Sequence, residues 1–532
     1  MPSNITTTGV TDRPLGPIGA SPASPLGSNK FVTKIMIRWL LGTVLTLPWL
    51  WPVAIGPWPA TLPWLVSLAC GAFMLLLVVW LRPDLLKAIA MSWLLAAVIS
   101  GVIGLLQYFG WSPTLAPFVN TTLLGEAFAN LRQRNQFATL ANIGLVTVLV
   151  WPMVGAARWP DAALAPSNNR TRWQWHVALV ISVLLAVANA ASSSRTGLFQ
   201  LGLLAMMYWT WGVLRNPTVR SLLLITGLAY AAAGLLLPRL AGLDPATSGI
   251  LARLQDGAPT CSSRLTLWAN VVQLITLKPW IGWGWGELDH AHFMTLYAGP
   301  RFCDILDNAH NLPLHLAVEL GVPFALLVCG VAFWLVWRSM PWRETSPVRQ
   351  LAWAVLALIL LHSMLEYPLW YGPFQIASGL SLWILWSTRP TPRFSMPAMR
   401  VVVTTAAAFM LAGAAYTAWD YYRVSQLYLA TSQRAPAYRD NTFEKVKGSW
   451  LFARQVRFAE LTTTEVTPDN AAHINAMAHE LLHFSPEARV VEKLIESAEL
   501  LGRDEEVQVF LARYQAAFPA AHTLWLKTRA PP

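Results

Sequence analysis

The sequence predicts an all-α, polytopic membrane protein of about eleven transmembrane helices, with a long extramembrane loop and a helical C-terminal tail domain. Of 532 residues, 55% are hydrophobic and only 12% charged, about half the charged share of an ordinary soluble protein, and the mean hydropathy is +0.44. There are 28 tryptophans, whose rings suit the membrane–water interface. Apolar runs of roughly 17–25 residues, long enough to cross a bilayer, follow one another along the chain. Four cysteines are too few for a disulfide scaffold. The net charge of +11 does not by itself indicate nucleic acid, because basic residues of membrane proteins collect in cytoplasmic loops.

Residues 1–34, rich in Pro, Ser, Gly and Thr, predict a disordered cytoplasmic tail. They do not read as a cleavable signal peptide, since the first apolar run starts only near Ile35. Residues 35–419 then form the transmembrane domain, with spans near 36–55, 62–81, 86–107, 136–156, 175–192, 197–214, 221–238, 312–337, 351–368, 372–388 and 401–419. With a cytoplasmic amino terminus, one side collects Lys30, Lys34, Arg38, Arg82, Lys87, Arg158, Arg170, Arg172, Arg215, Arg220, Arg338, Arg343, Arg349, Arg389, Arg393 and Arg400. The opposite connections at 56–61 and 369–371 contain no basic residue, so that assignment obeys the positive-inside bias.

An odd number of spans places the carboxyl terminus outside, in the periplasm of a Gram-negative cell. The loop 239–311 and the tail 420–532 are then both periplasmic. In the tail, Val490, Val491, Leu494, Ile495, Ala498 and Leu501 fall at helical spacing and predict a helix packed on a neighbour.

Against the topology rule, the exceptions are informative. Arg132 and Arg134 in "NLRQRNQFATL", Arg195 in "SSSRTG" and Arg264 in "SSRLTLWANVVQLITLKPWIGWGWG" all lie on the outer side, where arginine is not needed for orientation. Singly, each is open to a reading as a snorkelling or lipid-phosphate-binding residue. Together they suit an anion site, because guanidinium binds phosphate oxygens bidentately and stays charged at any working pH. His310, in "LDNAHNLPLHLAVELGVP", lies at the same membrane level between Asn308 and Asn311, and imidazole accepts a hydroxyl proton near neutral pH. A capping or interface role is the other reading of His310, and His315 reads as structural. Asp289, His290, His292, Asp304, Asp307 and His310 could gather around a metal, but their spacing matches no established pattern. "GWGWGE" at 282–287 lacks a Walker lysine and reads as a tight turn.

The strings "RQRNQFATLANIGL", "SSSRTG", "KPWIGWGWG" and "DNAHNLPLHLAVELG" stand in the order found in the O-antigen ligase/polymerase superfamily. "HSMLEYPLWYGPFQI" and "DYYRVSQLYLA" make the chain similar, more specifically, to bacterial O-oligosaccharyltransferases of the PglL type. The resemblance runs from about Leu123 onward. It implies a GT-C class membrane glycosyltransferase that uses a polyprenyl-pyrophosphate-linked oligosaccharide and needs neither cofactor, metal nor nucleotide sugar. On matching positions, it implies His310 as the catalytic base and Arg195 and Arg264 as ligands of the leaving pyrophosphate. Arg132 and Arg134 fall in the family's outer Asn/Gln-rich motif, from which "RQRNQ" departs, leaving their individual roles open. Asn311, Glu366 and Tyr367 would line the acceptor groove.

The expected function is therefore en bloc transfer, with inversion, to Ser or Thr hydroxyls of periplasmic proteins, pilin-like ones among them, at the bacterial inner membrane, with no nucleic-acid partner. A lipid A-core ligase or a polymerase shares the fold and donor, and a polyprenyl-glycan flippase is the alternative of a different class. Cys261 and Cys303 share the outer loop, where a disulfide is permitted, whereas Cys70 and Cys329 lie in apolar runs. A Cys261–Cys303 bridge is expected, against the alternative of two free thiols.

Overall fold

The structure, a computed structural model, describes residues 26–81, 85–158, 168–255, 260–388 and 396–529. Residues 1–25 of the expected tail lie outside the described residues, as do Arg82, Arg389 and Arg393. Among the described residues every regular element is helical. Helices α1 (Leu26–Leu50), α2 (Thr61–Leu81), α3 (Leu85–Tyr108), α4 (Arg134–Arg158), α5 (Asn168–Ala191), α6 (Arg195–Thr210) and α7 (Pro217–Leu240) follow the first seven apolar runs. Helix α1 thus begins inside the range read as a tail, directly after Pro25, with no proline between Leu26 and Pro48 to interrupt it. Three short helices occupy the long loop: α8 (Gly249–Gln255), α9 (Arg264–Leu277) and α10 (Leu288–Met294).

Helices α11 (Leu312–Leu320), α12 (Val322–Ser339), α13 (Pro347–Ser363), α14 (Gly372–Ser387) and α15 (Met396–Ser425) complete the apolar part. The chain is a polytopic helical membrane protein. Six stretches among the described residues are long and apolar enough to cross a membrane: Thr61–Leu81, Leu85–Tyr108, Trp173–Ala191, Pro217–Leu240, Val322–Arg343 and Met399–Tyr428. The count of eleven does not follow from length and hydropathy, for a physical reason. Helices α6 and α14 have 16 residues each, about 24 Å of rise against a hydrocarbon core of about 30 Å.

The expected span 312–337 is in fact two helices broken at Gly321, which has φ 88° and ψ 157°. The Gly-rich turn 282–286 docks into that break: Trp283 and Gly284 donate their backbone N–H groups to the carbonyls of Val318 and Glu319, both at 2.9 Å. Val322 N–H donates to Pro279 C=O at 2.8 Å. A Cβ on Gly321 would lie 2.2 Å from the Trp280 carbonyl oxygen, and backbone cannot move aside. Gly321→Ala is therefore expected to cost at least about 1–3 kcal/mol, because the conformation is essentially glycine-only. A lowered Tm of the detergent-solubilised protein checks it.

Helix α4 organises the core. Every residue from 136 to 150 is buried, as expected of a helix apolar on all sides, and it packs on α3, α5, α6 and α13. Its few polar groups pair across helices. Thr139 meets His362 Nδ1 at 3.0 Å and accepts from Gln200 Nε2 at 2.9 Å. Asn142 donates to Gln200 Oε1 and accepts from Asn189, each at 3.0 Å. Such pairing is what makes polar side chains tolerable in an apolar interior, and it sets the rotation of α5, α6 and α13 about α4.

The tail consists of α16 (Thr442–Val446), α17 (Ala453–Thr463), α18 (Ala471–Leu482), α19 (Ala488–Leu500), α20 (Asp504–Ala517) and α21 (Pro519–Arg529). Val490, Val491, Leu494, Ile495 and Ala498 bury the expected face of α19 in a core with Ile474, Leu481, Phe510 and Tyr514. Phe293 of α10 is part of that same core, so the loop and the tail are one packed unit. Trp58 also stacks on Phe484 at 5.6 Å, and the Tyr421 hydroxyl donates to the carbonyls of Ile55 and Trp58 at 2.8 and 2.7 Å.

Candidate active site

Arg134, Arg195 and Arg264 are the first residues of α4, α6 and α9. Local sequence explains two of these starts. Ser194 and Ser263 are N-caps whose hydroxyls accept from the N–H groups of Gly197 at 3.0 Å and Thr266 at 3.1 Å. Each Ser-Arg pair therefore puts a guanidinium in a first turn, where the helix dipole and unpaired N–H groups already favour an anion. Asn311 caps α11, accepting from Leu314 N–H at 3.1 Å, and Asn308 Oδ1 accepts the His310 N–H at 2.8 Å. His310, Arg132 and Ser193 have φ of 50°, 60° and 52°, a left-handed conformation uncommon for non-glycine residues and frequent at working sites.

Glu366 joins His310 to Arg264. One carboxylate oxygen lies 3.0 Å from His310 Nδ1, and the other accepts from the Arg264 guanidinium. Burial opposes ionisation of Glu366, but the contact with His310 and the charge of Arg264 outweigh it and hold its pKa below the usual glutamate range. A carboxylate this close to Nδ1 favours the tautomer with the proton on that nitrogen, which would leave the Nε2 lone pair for general-base work. Tyr367 packs edge-on to His310 at 5.0 Å and stacks on Tyr371 at 6.0 Å. Burial raises the pKa of Tyr371, Gln136 at the start of α4 and Tyr367 oppose that rise, and the charge of Glu366 adds to it. Asn308, Leu312, His315, Glu366, Tyr367 and Trp370 line a narrow cleft with free space of only about 10 Å³, enough for about one water molecule.

A second group of charges forms around Arg253, which inspection of the sequence did not single out. Burial lowers its pKa, the charges of Arg134 and Arg195 lower it further, and Glu126 opposes them. Arg253 donates to the Ser193 carbonyl at 3.3 Å and accepts through its own carbonyl from Arg195. Arg134 pairs with Glu126. The signal was present, because Arg253 lies in the same expected outer loop, 239–311, as Arg264. The Arg132 guanidinium donates to the Pro52 carbonyl and ties the entry of α4 to the α1–α2 connection.

Two of the residues expected to line the acceptor groove also make contacts within the protein. Glu366 pairs with Arg264 and lies 3.0 Å from His310 Nδ1. Asn311 uses both polar ends internally, its Nδ2 donating to the Met364 carbonyl at 3.1 Å, so it positions the turn that carries Glu366. Among the described residues the six weighed for a metal do not form one ligand group together. His292 spends one nitrogen on the Tyr297 hydroxyl at 2.8 Å and the other on the Phe302 carbonyl at 3.1 Å, Asp289 accepts from the His290 N–H at 2.7 Å, and His310 faces Glu366. His315 is buried, 3.5 Å from Glu319 and edge-on to Trp285 and Trp370.

Cys261 and Cys303 are joined in a disulfide, with Cα atoms 5.2 Å apart and the Cys303 N–H donating to Cys261 C=O at 3.1 Å. The bridge holds the entry of α9, with Arg264, against the segment leading to His310. Closing 42 residues should contribute about 3–4 kcal/mol through the unfolded chain. Non-reduced peptide mapping is expected to find the two cysteines linked, and Cys261→Ser to lower Tm. Thiol labelling of both in unreduced protein would contradict it.

Comparison with known proteins covers all of these segments. The family model described as "Protein glycosylation ligase" matches residues 127–151, "O-Antigen ligase" matches 180–329, and "Virulence factor membrane-bound polymerase, C-terminal" matches 350–531. A "General O-oligosaccharyltransferase" of Acinetobacter baylyi is 24% identical over 77% of this chain and 80% of its own length. A "ComP-specific O-oligosaccharyltransferase" of the same organism is 24% identical over 48% of this chain and 43% of its own.

Proposed function

We propose, from the premise that this chain is a PglL-type member of the O-antigen ligase superfamily, that it transfers an oligosaccharide en bloc from a polyprenyl-pyrophosphate carrier to Ser or Thr hydroxyls of periplasmic proteins. The observation that carries this reading is the His310–Glu366–Arg264 cluster, a base oriented by a carboxylate beside a fixed cation.

In this reading Nε2 of His310 takes the proton of the acceptor hydroxyl as its oxygen bonds to the anomeric carbon. The bond to the pyrophosphate oxygen breaks on the opposite face, so the product is inverted. Pyrophosphate is a good leaving group, and its growing charge needs stabilisation more than it needs an acid. Arg264 and Arg195 supply that charge, with Arg134 and Arg253 beside Arg195. No metal or nucleotide takes part in this chemistry. The donor's polyprenyl chain stays among the apolar helices. Eleven crossings, counting the short α6 and α14 and the broken α11–α12 pair, would put the arginines, His310 and the tail on the periplasmic side of the inner membrane.

A protein acceptor is favoured over lipid A-core because both named relatives are O-oligosaccharyltransferases. The match to the O-antigen ligase model keeps the lipid acceptor as the second reading. Purified protein incubated with lipid-linked donor and either a pilin-like protein or lipid A-core decides between them. Glycan appearing on protein is expected. Transfer to lipid A-core alone makes the chain a ligase, and donor movement across vesicles unaffected by loss of His310 makes it a transporter.

A further inference from the structure

Three side chains from distant parts of the chain converge outside the His310 cluster. Glu287 closes the Gly-rich turn, His290 follows in α10, and His483 ends α18 in the tail. The same oxygen of Glu287 lies 2.6 Å from Nδ1 of His483 and 3.5 Å from Nδ1 of His290. The two imidazoles stack with centroids 3.7 Å apart, and the three donor atoms lie within 4.8 Å of one another. Two stacked imidazoles aimed at one carboxylate are a poor arrangement for two protonated rings, which repel. They are a good one for neutral rings sharing a cation.

The donor set matches a known preference. Two imidazole nitrogens and a carboxylate oxygen suit a borderline-soft divalent ion, and water completes four-coordination. Bonds of about 2.0–2.1 Å in a tetrahedron place ligand atoms about 3.3 Å apart. The Glu287–His290 separation already fits, and the Glu287–His483 contact needs to open by less than about 1 Å. Nearly half of the His483 ring surface is exposed, which gives an ion a way in and the side chain room to move.

The frame around the three residues is preformed. Gly284 and Gly286 have φ of 114° and 78°, and the turn is bonded to Glu319 as described above. Phe293 of the same short helix sits in the tail core, and Arg513 Nε donates to the Met294 carbonyl at 3.0 Å. An ion here would add a staple where loop and tail already meet.

We propose that Glu287, His290 and His483 bind one divalent cation of the zinc class and that this ion fastens the long loop to the tail domain. None of its ligands belongs to the His310 cluster, so the site stands or fails independently of the glycosyl-transfer reading.

The test uses untagged full-length protein in detergent, stripped with chelator and titrated with Zn(II) or Co(II) alone. One ion per chain is expected, with the visible absorption of tetrahedral Co(II). His483→Ala and Glu287→Gln should each weaken binding by more than the about 10–100-fold that loss of an outer-shell partner costs. His479→Ala, whose ring pairs with Glu506 elsewhere in the tail, should leave binding unchanged. Without metal, wild type and His483→Ala should melt alike, and Zn(II) should raise Tm only in the wild type. Failure of the wild type to retain any ion, or equal binding and equal Tm gain in His290→Ala and His483→Ala, overturns the proposal.

Discussion

Replacing His310 with alanine is expected to abolish transfer while leaving membrane insertion and donor binding largely intact. A positioned general base contributes about 10²–10⁴-fold to such a step, so residual turnover should fall by that factor or more. The backbone does not depend on the imidazole: Asn308 and Asn311 hold the segment through the His310 N–H and the start of α11. Alanine also leaves Glu366 paired with Arg264. Glu366→Gln should give a smaller loss in kcat, because glutamine keeps an acceptor for Nδ1–H but not the charge that stabilises the imidazolium. Single-turnover assays with saturating lipid-linked donor separate the chemical step from binding. Near-wild-type turnover in purified His310→Ala protein removes the residue from the mechanism.

The arginines are expected to carry the second large effect. Arg264→Ala and Arg195→Ala should each lower transfer about 10²–10³-fold, the usual loss when one stabiliser of developing negative charge is removed from a preorganised site. Lysine at either position should rescue only part of the activity, since an ammonium lacks the planar fork that binds two phosphate oxygens. Arg264→Ala has a further consequence. It leaves the Glu366 carboxylate with His310 alone, so acceptor activation and leaving-group stabilisation are perturbed together. Full activity in both alanine variants means that the two arginines serve topology and the pyrophosphate clamp is wrong.

Several parts of this site were readable because their causes are local. A Ser-Arg pair ahead of an apolar run marks a helix start, so Arg195 and Arg264 at N1 of α6 and α9 follow from a few neighbouring residues. Their place on the side expected to be poor in basic residues was equally visible. The apolar face of α19 followed from its spacing. The break at Gly321 was less legible. Hydropathy is continuous across it, and the glycine is required only because the backbone of Trp280, 41 positions earlier, occupies the space a Cβ would need.

The sequence by itself determined the helical membrane class, the family resemblance and which residue types stand at the starts of α4, α6 and α9, since composition, apolar run length and short motifs are properties of neighbouring residues. Only the tertiary structure decided that Glu366 is the partner of Arg264, 102 residues away, and of His310. It also decided that Arg253 joins Arg134 and Arg195, that Thr139, Gln200 and His362 meet inside the bundle, and that His483 reaches Glu287 across 196 positions. The reason is physical. Charge pairing and buried hydrogen bonding depend on distance in space and on exclusion of water, and neither is set until the helices pack.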